Sequence, residues 1–382
     1  MQDIQQTVSG MLLAMLLLTM GCNGNKDRPP RTATFPKASQ RMDPNDQTFG
    51  FSEGLGRVEL GGKRGFIDKT GRLVIQPQFE KAWDFSCGRA MIEKDGKRGY
   101  IDPTGRPVIE PRFPDARSFS EGLAGVRKDA LWGFIDPSGK FAILPKFEDM
   151  DRGFSEGLAA VGADGLYGFI DKTGKFVVKP RYDNATNMLR GRAAVRKGKY
   201  WAYINKEGKE VTPFIFASTV GFGKDPCVAY VNIPTASTWF MPNDPNDKTG
   251  TIALGVKTCF IDPNGKIVFN PPPGVDVGFF NEGLCMAIDR TSGQFLGCGY
   301  MDLSGKWVVK PQYEAASLMF SEGMGAVKLE GRWGYVNRSG TMVIKPSFEL
   351  ALPFQGGFAR VAVKGSWGYI DPNGNLVWKP TR

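Results

Sequence analysis

The 382-residue chain contains no histidine. That absence removes His-based catalytic triads, imidazole general acid–base chemistry and His-ligated metal sites together. Runs of like charge are also missing. Forty-nine Lys and Arg against 39 Asp and Glu leave +10, but the charges are scattered through the turns. Such a balance favours anionic partners in general and describes a solvated basic surface. There is no CxxC spacing for a zinc site, and no GxSxG, P-loop or Gly-rich dinucleotide fingerprint. Beyond residue 22 no apolar stretch is long enough to span a bilayer. No cofactor and no metal are implied.

What the chain has in quantity is turn chemistry. Forty-nine Gly and 26 Pro accompany an ordinary 41% hydrophobic content, which suits many short strands joined by tight turns. At this length a single compact core is near its limit, so several domains or a repeat array are expected.

In order, Gly10 to Met20 is an apolar run of signal-peptide length, too short to span. It leads into Leu18-Thr19-Met20-Gly21-Cys22, which resembles the lipobox of bacterial lipoproteins. The resemblance implies export, lipidation of Cys22 and, with Asn23 following, outer-membrane sorting in a cell with two membranes. The alternative is an apolar N-terminal strand or helix of the fold itself. Residues 23–48 are polar, with Pro29, Pro30, Pro36 and Pro44, and read as a flexible tether. The body runs from 49 to 382.

That body is one phrase rewritten nine times. Copies open at Phe51, Phe85, Phe119, Phe154, Met188, Phe222, Phe280, Phe320 and Phe354, mostly 34 residues apart. A fixed period of this size signals a repeat architecture. The sixth copy carries an insertion over 233–255, and the seventh is stretched near Thr291 to Gly297. Each copy offers three β-like pieces, such as Leu123 to Val126, Trp132 to Asp136 and Phe141 to Leu144 before Pro145. Asp136-Pro137-Ser138-Gly139 has the residues a type I turn favours. Asn205 and Asn337 replace the Asp in two copies, which a turn tolerates and a catalytic carboxylate would not.

Columns across the copies say more. The middle piece is always aromatic at one position (Phe66, Tyr100, Phe134, Phe169, Tyr203, Phe260, Tyr300, Tyr335, Tyr369) and aliphatic at the next. Neighbours on a strand face opposite ways, so both faces are buried between stacked copies. Two places before the aromatic the column reads Arg64, Arg98, Trp132, Tyr167, Trp201, Thr258, Cys298, Trp333, Trp367. Because it accepts arginine, this column is expected to be semi-exposed. It either pads the seams between copies or forms a ligand-contacting stripe.

The Trp132-Gly133, Trp333-Gly334 and Trp367-Gly368 pairs, with the Phe-Ser-Glu-Gly-Leu opening at Phe119 and Phe154, make the unit similar to the WG (or KWG) repeat family of bacterial proteins. The resemblance covers about 330 residues and implies a tandem β architecture without established catalytic residues. The expected fold is therefore all-β: nine ~34-residue, three-stranded repeats in an open twisted solenoid. A closed propeller-like ring is the alternative, less favoured because nine copies exceed the usual blade number.

With Cys22 lipidated, five cysteines remain. Cys227 with Cys259 and Cys285 with Cys298 are the candidate intra-copy disulfides, with cross-copy pairing or free thiols also open. The expected function is an envelope-anchored, non-enzymatic binding scaffold for a protein or polysaccharide. Its contact residues would be Arg64, Arg98, Trp132, Tyr167, Trp201, Trp333 and Trp367, together with Trp239 of the insertion. A glycan hydrolase or lyase using Glu282 with Asp289 is the second reading. A nucleic-acid or polyanion binder is the third, and export argues against it.

Overall fold

The structure, a computed structural model, describes residues 50–223, 227–235 and 255–379. Cys22, the tether and Trp239 lie outside the described residues. The remainder folds as nine antiparallel sheets in chain order, spanning 51–79, 81–113, 115–147, 149–182, 184–216, 218–269, 275–313, 315–348 and 350–378. These are called blades 1 to 9.

Eight of the nine blades hold four strands rather than the expected three, and blade 5 holds three with bridges in place of the fourth. In blade 4 they are Asp149–Met150, Ala159–Ala163, Leu166–Ile170 and Phe176–Tyr182. The first strand escaped the sequence because only two of its residues pair continuously, Asp149 with Gly162 and Met150 with Val161. Its pairing then breaks before a lone bridge at Ser155 and Leu158. The fourth strand also runs further than its sequence suggests, straight through a proline to a closing aromatic, as Phe141–Phe147 does through Pro145. Proline is tolerated there because the fourth strand is a sheet edge, where it blunts pairing with other chains.

The glycine after the tryptophan has a structural reason. Trp132 pairs with Phe147 and Phe134 with Ile143, so two residues on the third strand face four on the fourth, a bulge. The bulged backbone passes over Gly133, where an added Cβ would stand 2.6 Å from the Ile143 carbonyl oxygen and 2.7 Å from the Pro145 nitrogen. Gly99 and Gly168 sit under the same crossing. Blade 5 has Ala202 at this place, and its fourth strand is reduced to isolated bridges at Glu210 and Phe216. Blade 6 has Cys259, and its fourth strand stops at Phe269. Ala202 leaves the offset itself in place, since Trp201 still faces Phe216 and Ile204 faces Glu210, but the continuous ladder is lost.

Blades join through a repeated seam. The third-strand aromatic of one blade meets the leading aromatic of the next, as in Phe66 with Phe85 (4.9 Å), Tyr100 with Phe119 (4.8 Å) and Tyr335 with Phe354 (4.9 Å) between ring centroids. The opening phrase adds polar latches. Ser120 Oγ donates to the Phe154 carbonyl at 2.6 Å, and the Glu121 carboxylate accepts the Gly157 amide of the next blade at 3.0 Å. Glu322 does the same for Gly356 and Gly357, at 2.7 and 2.9 Å. These glutamates have left-handed backbones (Glu121 φ 51°, Glu322 φ 52°), an uncommon state for a residue with a side chain.

The seam recurs between blade 9 and blade 1, which overturns the open solenoid. Tyr369 packs on Phe51 at 5.2 Å. Its hydroxyl donates to the Arg57 carbonyl at 2.7 Å, the counterpart of Tyr300 donating to Ala326 at 3.2 Å inside the array. The molecule is a closed nine-bladed β-propeller. The copies at the two ends depart from the phrase where closure demands it. Gln355-Gly356-Gly357 lacks the latch glutamate, because Gly356 (φ +67°) lies directly against the Phe51 carbonyl. The Phe51 amide instead donates to the Gln355 carbonyl at 2.9 Å.

Two outcomes follow. Gly133→Ala should destabilise by about 2 kcal/mol, as overpacking against backbone does, whereas Ala202→Gly should shift the urea midpoint little. At the latch position, Cys87→Glu should stabilise by about 1 kcal/mol through the missing bonds to blade 3. The same consensus change at the closing seam, Gly356→Glu, should lower the midpoint.

Candidate functional site

The Trp/Arg column is not uniformly semi-exposed. Trp132 is 4% and Trp201 9% exposed, and Cys298 is buried, whereas Arg64, Arg98, Tyr167, Thr258, Trp333 and Trp367 are half-buried. The column tolerates arginine through pairing. Arg98 reaches Glu93 (3.4 Å) and Asp115 and lies 5.1 Å over the Trp83 ring. Arg64 faces Glu59 at 3.7 Å. Cations also cap the tryptophans: Arg117 over Trp132 at 4.6 Å and Arg360 over Trp367 at 5.0 Å. Across the sheet, Arg64, Arg98, Trp132, Tyr167, Trp201, Cys298 and Trp333 each face an aromatic on the fourth strand: Phe79, Phe113, Phe147, Tyr182, Phe216, Tyr313 and Phe348.

The carboxylates considered for chemistry are occupied elsewhere. Glu282 accepts the Glu322 and Gly323 amides at 2.7 and 2.9 Å as a seam latch. Asp289 caps a turn, accepting the Thr291 amide at 2.9 Å. The two sit at opposite ends of the strand Leu284–Asp289, on the order of 20 Å apart by strand rise, so they are not brought together. Among the described residues no group of three or more Cys, Asp or Glu is placed to hold a metal ion.

Cys87, Cys227, Cys259, Cys285 and Cys298 are free. Cys285 lies opposite Met301 and Cys298 opposite Ile288, three positions along the same strand pair, so they face opposite sides and join different clusters. Cys227 and Cys259 share one cluster without a bond. Burial pushes the Cys285 and Cys298 thiols up to about 12, which holds them protonated and unreactive.

Blade 6 departs furthest. Thr258 stands where four other copies have Trp and three have Arg or Tyr, Cys259 replaces Gly, and Asn270-Pro271-Pro272-Pro273 replaces the bulged strand and its closing aromatic. A cavity of about 280 Å³ lies between blades 6 and 7, lined by Tyr230, Lys257, Thr258, Pro271, Pro272, Val275, Asp276 and Val277. The Tyr230 ring is held edge-on by Phe260 and Phe279, each at 5.5 Å. Thr258 Oγ1 donates to Asn232 at 2.8 Å, and Asn232 in turn donates to Ser218 at 2.8 Å. At the rim, Asp276 pairs with Arg290 at 2.9 Å.

A family model described as a WG containing repeat matches residues 65–97, 99–132, 132–167, 167–201, 201–231, 299–333 and 333–366, more than half of the chain. The chain belongs to the WG repeat family. No curated protein matches it in sequence. Among solved structures, a eukaryotic initiation factor shares 10% identity at a TM-score of 0.55, over 85% of this chain and 95% of that one. BamB from Moraxella catarrhalis shares 12% identity over 86% and 94%, at a TM-score of 0.34. At these identities the first likeness shows the fold alone, and the second carries no argument.

The WG repeat matches break off between 231 and 299, the stretch that supplies all of the cavity's lining residues but Tyr230. Of its lining, only the Thr258 column was singled out by the sequence. The signal for the rest was the three consecutive prolines of blade 6, which cannot continue a paired strand.

The turn aspartates of the WG repeats are structural caps. Asp136 Oδ1 accepts the Ser138 amide and hydroxyl at 2.8 and 2.6 Å. The neighbouring hydroxyls, followed by backbone amides, hold Asp68, Asp102, Asp136, Asp171 and Asp302 below the ordinary value of 3.8. A lowered folded pKa contributes stability above pH 3.8 that is lost as pH falls through the folded value. Asn337 makes the same bonds without charge, to the Ser339 and Thr341 amides at 3.0 Å. Changing the five Asp to Asn should therefore keep the turn bonds but lower the urea midpoint at pH 7 toward its value at pH 2, and shrink its fall between pH 5 and pH 2.

Proposed function

We propose that this WG repeat propeller is a non-enzymatic binding scaffold, exported and held at the bacterial cell envelope by a lipid on Cys22, where it engages a protein or a polysaccharide. The carrying observation is where its polar side chains go. The repeated Asp and Glu are consumed by turn caps and seam latches (Asp136, Glu121, Glu282), and the buried thiols are held protonated. What remains free is surface, on a rigid closed fold of the kind used for protein binding and scaffolding.

Under this reading the lipid on Cys22 is what holds the chain at the membrane. Metabolic labelling of the full chain with an alkyne palmitate in a bacterial host should give a labelled, membrane-sedimenting protein. Cys22→Ala should abolish the label and move the chain to the soluble fraction. Label retained by Cys22→Ala would sink the anchor. Release of sugar from purified envelope glycan by the full chain would sink the non-enzymatic reading.

A further inference from the structure

We infer that the outer edge of the blade 6 strand Gly255–Ile261 is a docking site for an extended segment of a partner polypeptide, which adds to the sheet as a further strand beside Thr258. The inference deepens the scaffold reading above and rests on it for the existence of a partner.

A residue on a paired strand sends its N–H and C=O together to one side, and the next residue sends them to the other. In blade 5 Trp201 sends both outward, donating to the Phe216 carbonyl at 2.8 Å and accepting the Phe216 amide at 3.2 Å. Its counterparts in blades 1 to 4, 7 and 8 pair with a fourth-strand aromatic in the same register. Thr258 holds that register in blade 6, paired with Asn232 as Trp201 is with Arg196. Its outward groups meet no strand. The blade 6 fourth strand, Ile267–Phe269, covers only Phe260 and Ile261. Pro273, in the place of Phe216, has no N–H to give. Among the described residues nothing pairs with the Thr258 amide or carbonyl on that side.

An edge of unpaired backbone groups is a template for another chain. The complete blades end in a fourth strand whose proline blunts that tendency: Pro77, Pro111, Pro145, Pro180, Pro311 or Pro346. Gly255 to Cys259 carry no proline, and their strand has seven residues against five in Leu131–Ile135 of blade 3. The cavity of about 280 Å³ lies against this edge, and Val275 and Val277 of blade 7 also line it, which gives an added strand room for an apolar side chain. Thr258 Oγ1 is already engaged with Asn232 at 2.8 Å, so what the edge offers is backbone. At the rim Asp276 is paired with Arg290 at 2.9 Å, while the exposed Lys257 has no ion pair among the described residues. The partner segment that fits is therefore extended, free of proline and acidic.

The test uses the full chain and a fluorescein-labelled peptide amide, Thr-Val-Glu-Val-Glu-Val-Thr, followed by anisotropy, with hydrogen exchange read at single amides. In the free chain the Thr258 amide should exchange at least about a hundredfold faster than that of Trp201. The peptide should bind saturably and slow exchange at Thr258. A twin N-methylated at every peptide bond cannot donate to the edge and should bind at least about tenfold more weakly. Thr258→Pro, which removes the edge amide, should lose the peptide as well; should that variant fail to fold, the twin still decides. A Thr258 amide as slow as that of Trp201 in the free chain would mean a covered edge and overturn the proposal. So would the absence of saturable binding, or equal binding of the twin, which places recognition in side chains alone. Failure here leaves the anchor and turnover experiments untouched, so loss of this edge and loss of the scaffold reading are separable.

Discussion

Everything in this molecule depends on one contact: an aromatic ring of a third strand set edge-on or tilted against the leading aromatic of the next blade. It recurs at 4.8 to 5.2 Å at eight of nine seams, with Met188 in place of the ring at the other. Each pair is worth about 1 kcal/mol beyond its buried area. Its larger effect is geometric. The aromatic and the following aliphatic residue point to opposite faces, Phe169 into one inter-blade cluster and Ile170 into the other. No blade has a complete core alone, and each is finished by its two neighbours.

That dependence explains why the ring closes. A solenoid leaves two outermost repeats with an unpaired face and must cap them with polar residues. Blades 1 and 9 carry no such cap. Phe51, Val58, Ile67 and Tyr369 repeat the interior columns and form a cluster with one another. This was legible in the sequence, since the end copies keep the same apolar columns as the middle ones. The preference for a solenoid came from blade counting, which says nothing about how far each seam rotates. The terminal departures, Gly50 and the run Gln355-Gly356-Gly357, acquire meaning only once the ends meet, since a Cβ on Gly50 would stand 2.7 Å from the Phe358 carbonyl.

The middle strands, the turn type and the two-sided burial were readable because periodicity and turn chemistry are local. The first strand and the course of the fourth were not. Both depend on pairing across a bulge, and a bulge hides the alternation that betrays a strand. The Trp column was half legible for a related reason. Arginine marks a position that is not sealed, but the aromatic facing it lies 15 residues away on the fourth strand, as Phe79 does for Arg64. A single column cannot reveal the layer that covers it.

A closed ring also decides where variation can be carried. The rotations of nine seams must sum to one full turn, so a copy cannot relax without the others holding the difference. Blade 5 tests this tolerance lightly, with Ala202 in place of Gly and its fourth strand reduced to bridges. Blade 6 tests it severely, giving up the Gly, the Trp, the bulge and the closing aromatic together. It still keeps the third-strand Phe260 against Phe280 at 4.9 Å. The seam survives where the padding is gone. The ring can lose the padding of one blade and still close, because the contact that joins blades is separate from the layer that covers them.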